Sequence, residues 1–199
     1  MGKQYNKTQK RQRRKRYLKR KKAIMHEQLE LFKCETKRDA VPQNVKKVVN
    51  FFISQPDFKS KINSCFEETI KGVLDLFRKG QINELDQTQK AVMGSAFEEN
   101  VRAKFNLAHG DKHKGTSGNL DYKIDSLCFD VKFSLKNTYW IPPSCVNQVC
   151  ALATENYPDG KRQFGVFLAK EKYLNKGANR DKKRTISTKN YKYIKWLNI

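Results

Sequence analysis

The chain has 199 residues, a length that suits one compact domain plus an extension. Hydrophobic residues make up 38% and aromatics 11%, enough for a packed core, which excludes wholesale disorder. The formal charge of +22 is uneven: residues 1–22 hold twelve Lys/Arg and no acid, so +12 sits there and +10 is left to the other 177. A basic surface of this size points to a polyanion, because neutralising phosphates releases counterions. No apolar run approaches the roughly 18 residues of a membrane span, and the basic start lacks the apolar stretch of a secretory signal. The five cysteines (Cys34, Cys65, Cys128, Cys145, Cys150) form no CxxC pair. An odd count without framework spacing reads as reduced thiols and a cytoplasmic setting.

Residues 1–22 are a charge run, either a solvated tail or an arm that grips phosphates. From about residue 24 to 77 apolar residues recur at helical spacing. Val45, Val48, Val49, Phe52 and Ile53 make one stripe. Phe58, Ile62, Cys65, Phe66, Ile70, Val73, Leu74 and Phe77 make a second, with Pro56-Asp57 between the two. A third helix is predicted over residues 88–105, with Val92, Ala96, Val101 and Phe105 inward. The Gly-rich segment HGDKHKGTSGN reads as a loop, so the i, i+4 spacing of His109 and His113 is weak support for a metal. LDYKI, LCFDVKFSL and FGVFLA read as strands, and a helix is predicted over residues 144–154 behind Pro142-Pro143. Helices first, then β, helix, β, give an α/β or α+β domain.

An acid two residues before a lysine recurs six times in this Lys-rich chain, so context has to choose among them. Around Asp130 the alternation is strict: Leu127, Phe129, Val131 and Phe133 share one face, Asp130 and Lys132 the other. On the preceding strand Leu120, Tyr122 and Ile124 share a face, leaving Asp121 opposite. With Asp125-Ser126 as the turn, facing residue numbers sum to 251, which sets Asp121 across from Asp130 with Cβ atoms about 5 Å apart. Facing like charges destabilise a strand pair. A divalent cation between them reverses that, and Mg²⁺ takes about two carboxylates plus waters and phosphate oxygens. Lys132 follows on the same face, where its ammonium can meet a scissile phosphate or an attacking water. Spacing alone leaves a surface hairpin with scattered charges equally open. A third acid would come from Glu98 or Glu99, where a solvated pair bonded along its own helix is the plainer reading.

An acid on a helix, a loop, and then D-x8-D-x-K resembles the PD-(D/E)xK nuclease superfamily, although Asp121 follows Leu120 in place of Pro. More specifically, FDVKFSLKNTYWIPPS, then GANRDKKRTIS and IKWL, is similar to the endonuclease domain of NaeI-type restriction enzymes. The resemblance covers about residues 94–197. It implies a mixed β-sheet flanked by helices behind an N-terminal helical extension. The chain then divides into a basic arm (1–22), a helical region (23–87) and a catalytic core (88–199). The resemblance further implies that Asp121 and Asp130 bind Mg²⁺, that Lys132 is the catalytic lysine, that Glu98 is the helix acid with Glu99 as its rival, and that a homodimer cuts both strands of a short palindrome in double-stranded DNA. With Asp121, Asp130 and the Val131 carbonyl as ligands, the expected chemistry is one-step in-line hydrolysis leaving a 5′-phosphate. Because the chain ends just past Trp196-Leu197, activation by a second DNA copy is not expected.

For recognition, Asn179, Arg180, Asp181, Lys183 and Arg184 form, with Lys182, the densest polar cluster outside the arm, and Arg, Lys and Asn suit base edges in the major groove. Phosphate gripping is an equal reading for the lysines. Ser134, Asn137 and Trp140 are weaker candidates for DNA contact. Two alternatives stay open: a repair or mismatch nuclease of the same fold, and a non-catalytic basic nucleic-acid-binding protein.

Overall fold

The computed structural model describes residues 41–110 and 120–199. The expectations for the basic arm, for residues 23–40 and for His113 lie outside the described residues. Helix α1 (Gln43–Ser54) buries Val45, Val48, Val49 and Phe52. Ile53, grouped with them by spacing, is instead 54% exposed, because it sits about 100° around the helix from Phe52. The break at Pro56-Asp57 is real: Asp57 takes a φ of 57°, and α2 (Phe58–Leu76) starts directly after it. Asp tolerates this left-handed conformation better than most residues. α2 buries Phe58, Ile62, Cys65, Phe66, Thr69 and Val73.

Helix α3 (Gln87–Phe105) begins in a capping box. The Asp86 side chain accepts the Gln89 backbone N–H at 2.8 Å, and the Gln89 side chain accepts the Asp86 backbone N–H at 3.0 Å. Its buried face is Met93, Phe97, Val101 and Phe105. Val92 and Ala96, expected inward, flank that face and are only partly buried.

The strands are β1 (Ala108–His109), β2 (Tyr122–Ile124), β3 (Leu127–Ser134), β4 (Trp140–Ile141), β5 (Val149–Asn156), β6 (Lys161–Leu168), β7 (Leu174–Ala178), β8 (Arg184–Ile186) and β9 (Lys195–Leu197). They form a six-stranded sheet in the order β1-β2-β3-β5-β6-β9 and a three-stranded sheet in the order β4-β8-β7. β3 and β5 run parallel, and the other neighbours in both sheets are antiparallel. The sheet is therefore mixed, as expected, but the helix predicted over residues 144–154 is wrong. Pro143–Cys145 is a short 3-10 turn, and after a further turn β5 takes residues from Val149 on as a strand buried along nearly its whole length. A strand covered on both faces shows a continuous apolar run with no alternation, and Ala-Leu-Ala within it mimics a helix.

The two faces of the large sheet are covered differently. Phe129, Val131, Ala151, Ala153, Phe164 and Val166 pack with residues of all three helices in one apolar cluster. The other face packs Cys150, Leu152 and Phe167 with Tyr139, Ile141, Leu174 and Ile186 of the small sheet and its connections. So helices flank one face and the small sheet covers the other. At the centre of the helical side, the Phe52 ring meets Phe105 and Phe164 edge-on, each with centroids 5.0 Å away. Such a ring contributes about 2–3 kcal/mol by burial alone. The helices thus hold β3 rigid on one side, and its opposite face carries the charges.

Candidate metal centre

The β2–β3 hairpin sets the site. Its observed pairs are Tyr122↔Phe129, Lys123↔Cys128 and Ile124↔Leu127, the register anticipated from the alternation. Asp125 adopts a φ of 53° in the turn, a conformation Asp accepts. One step beyond the last pair, Asp121 has left the ladder and its Oδ2 accepts the Val131 backbone N–H at 2.9 Å. That bond fixes the carboxylate beside Asp130. Gly110 secures the same corner, donating its N–H to the Asp121 carbonyl at 3.0 Å. A Cβ on Gly110 would lie 2.1 Å from the Leu120 carbonyl oxygen, so only glycine fits there.

Glu98 of α3 reaches the same place. One carboxylate oxygen each from Glu98, Asp121 and Asp130 lie within 4.8 Å of one another, the one such group among the described residues. The Lys132 ammonium stands among them: 2.5 Å from Asp130 Oδ1, and 3.5 Å from both Asp121 Oδ2 and Glu98 Oε1. It also donates to the Val131 carbonyl at 2.8 Å, so that carbonyl faces the site too. Glu99 points elsewhere, pairing with Arg102 at 2.7 Å in solvent. His109 is not in the carboxylate group, but with Glu98, Glu99, Gly110, Leu120, Asp121 and Tyr122 it lines an adjoining cleft of about 320 Å³.

Burial dominates the electrostatics. Asp130 is only 4% exposed at its side chain, while Glu98 and Asp121 are each 25% exposed. Desolvation pushes the Asp121 carboxyl up to about 7, helped by the neighbouring Asp130 and opposed by Lys132. Desolvation likewise pushes Asp130 up to about 6, against its hydrogen bond with Asp121 and the Lys132 charge. Burial raises Glu98 as well. For Lys132, burial disfavours the charge, but the carboxylates, led by Asp130, outweigh it and raise its pKa. Three carboxylates and one ammonium leave an excess of negative charge. Hard oxygen donors this close suit a small divalent cation.

One residue at the site escaped the sequence analysis. The Cys145 thiol donates to Asp130 Oδ2, and Cys145 is wholly buried. Nothing in its spacing marks it. It is delivered by the turn between β4 and β5, a contact visible only in three dimensions.

A family model described as Restriction endonuclease NaeI matches residues 46–199. The chain belongs to that family. It is accordingly a nuclease of the restriction-endonuclease type, and its carboxylate group can hold a divalent metal. No match emerges among curated proteins. Among the described residues no helix is long and apolar enough to cross a membrane.

The residues marked for DNA contact gather mostly on the small sheet of this NaeI-family chain. Asn179 closes the β7–β8 hairpin: its N–H donates to the Lys183 carbonyl and its Oδ1 accepts the Lys183 N–H. Lys182, with a φ of 59°, completes the turn. Arg180 at the tip is 96% exposed, 3.5 Å from Asp181, whereas Arg184 is bonded to Glu171 at 3.3 Å. Trp140 pairs with Thr185 through β4–β8 and leaves its ring half exposed. Ser134 ends β3 and Asn137 follows it. The Ser134 hydroxyl accepts the Lys136 N–H at 3.1 Å, and the Asn137 carbonyl accepts the Tyr191 hydroxyl.

Proposed function

We propose that the chain cuts both strands of double-stranded DNA at a short specific sequence, as a Mg²⁺-dependent type II restriction endonuclease acting as a homodimer in the cytoplasm. The observation that carries this reading is the convergence of Glu98, Asp121 and Asp130 around Lys132, in a chain whose family is restriction endonucleases. Asp121, Asp130 and Glu98 would hold Mg²⁺, with the Val131 carbonyl as a further oxygen. Bound there, the ion would acidify a water and polarise the phosphate.

The remaining steps belong to the protein. Lys132 orients the attacking water and, its charge favoured by the carboxylates around it, stabilises negative charge growing on the phosphoryl oxygens. The helix-backed β3 strand keeps Asp130 and Lys132 on one rigid face. Arg180, Lys183 and Trp140 would meet the DNA, while Asn179 shapes the hairpin that presents them and Arg184 and Asp181 hold its flanks. Ser134 and Asn137 would lie at the DNA backbone. The chain would divide into arm, helical region and catalytic core, with α1 and α2 serving as the support of the sheet.

Plasmid DNA incubated with the protein and Mg²⁺ tests the proposal. Discrete fragments with one common end sequence are expected. Cleavage only at lesions or mismatches would favour a repair nuclease, and binding without cutting would overturn the reading.

A further inference from the structure

Asp130 has two carboxylate oxygens and almost no access to water. Oδ1 accepts the Lys132 ammonium at 2.5 Å. Oδ2 points the other way, into the apolar cluster that contains Cys145, Cys150, Leu152 and Ile141. A buried carboxylate oxygen without a donor there would make the group rotate or take up a proton. The Cys145 thiol supplies that donor.

The thiol is held firmly. Pro142 and Pro143 fix the backbone ahead of it, and the Cys145 N–H donates to the Pro142 carbonyl at 3.0 Å. The Gln148 N–H returns to the Cys145 carbonyl at 3.0 Å, and the Gln148 carbonyl accepts the Ala169 N–H at 2.9 Å, tying the turn to the end of β6. From behind, Cys150 stands beside Asp130, its register partner on β5, and is fully buried with Cys145.

We infer that Cys145 is a positioning residue of the metal centre: its thiol holds Asp130 Oδ2 and so aims Oδ1 into the site. A thiol suits this task because it is a weak donor that costs little to bury. It fixes the carboxylate while leaving most of the negative charge for a cation, as outer partners of metal ligands do. The inference rests on the proposed metal reading of Glu98, Asp121 and Asp130.

The test is Mn²⁺ binding to the full chain without DNA, read from the loss of the free-ion paramagnetic resonance signal. Wild type, Asp130→Ala, Cys145→Ser and Cys145→Val are compared, with thermal unfolding to show that each is folded. Serine keeps a donor, whereas valine keeps the volume and apolarity. Cys145→Val is expected to weaken Mn²⁺ binding about tenfold, with Cys145→Ser within about threefold of wild type. Valine equal to wild type, or serine as weak as valine, would overturn the inference and leave a packing role. If wild type binds Mn²⁺ no better than Asp130→Ala, the metal reading fails, and the inference with it.

Discussion

The Lys132 ammonium lies 2.5 Å from Asp130 Oδ1, two residues back on the same face of β3, and close to Asp121 and Glu98 as well. Before any cation arrives, this side chain partly offsets the repulsion of three crowded carboxylates. Replacing it should therefore have two separable effects. Lys132→Met should lower DNA cleavage at saturating Mg²⁺ by at least about 100-fold, the scale of losing one charge-stabilising donor. DNA binding should survive. In metal-free buffer the same variant should unfold at lower temperature than wild type near pH 8, with the gap closing toward pH 5. Cleavage at the wild-type rate would remove Lys132 from the chemistry.

Proton linkage at Asp121 and Asp130 gives a second expectation. Folding raises both carboxyls from 3.8, to about 7 and about 6 respectively, chiefly through burial. A raised acid favours the folded state fully below its unfolded value, and that contribution disappears as pH climbs through the folded value. The metal-free protein should thus lose stability between about pH 4 and 7 through these groups. Cation binding must displace their protons, so the Mg²⁺-induced rise in Tm should grow from pH 5.5 to 8. A rise that stays constant over that range would contradict the linkage.

Glu98 and Glu99 are adjacent yet face different surroundings. Glu98→Gln should weaken Mn²⁺ binding by about tenfold or more. Glu99→Gln removes only a solvent-screened pair with Arg102 and should leave binding and cleavage within about threefold. Equal losses from both would show that Glu98, the one of the two that reaches Lys132, has no special place.

At Gly110 the backbone itself is the constraint. Gly110→Ala forces a methyl against the Leu120 carbonyl and should cost about 1–3 kcal/mol in denaturant unfolding. Because the Gly110 N–H also holds the Asp121 backbone, Mn²⁺ affinity should fall although no carboxylate has changed. Unchanged stability and affinity would mean that this corner yields freely.

The β7–β8 hairpin offers a contrast between shape and contact. Asn179→Ala removes the side-chain bond to the Lys183 N–H and should cost about 1 kcal/mol of stability. Arg180→Ala, at a fully solvated tip, should leave Tm unchanged while weakening DNA binding and reducing its salt slope by about 1. If Arg180→Ala binds DNA as wild type does, the hairpin does not touch the substrate.

Much of the hairpin was legible in the sequence. Alternation assigns most faces, and reading Asp125-Ser126 as a two-residue turn sets which residues oppose, so Asp121 and Asp130 could be paired on paper, although Leu120, grouped with Tyr122 and Ile124, packs instead with the small sheet. The α3 stripe was legible in part: Val101 and Phe105 were placed inward correctly, whereas Val92 and Ala96 only flank the face that Met93 and Phe97 complete, and Glu98 lies beside it. β5 was not, because burial on both faces erases the period that separates strand from helix. Cys145 was hidden more deeply. Its contact with Asp130 depends on the path of a turn between two sheets, and no local pattern encodes that path. Between Glu98 and Glu99 the spacing gave only a lean, and the pairing of Glu99 with Arg102 shows why the two diverge.

The capping box at Asp86 has a consequence some distance from itself. Glu98 stands twelve residues beyond that cap, about 18 Å along the axis, and each residue of slippage would turn it by about 100°. The Asp86–Gln89 clasp and the buried Met93, Phe97, Val101 and Phe105 therefore act together as a clocking pin, fixing the rotational phase at which α3 delivers its acid. A single residue inserted between the cap and that face would set the two against each other, so that either the clasp or the acid would lose its place.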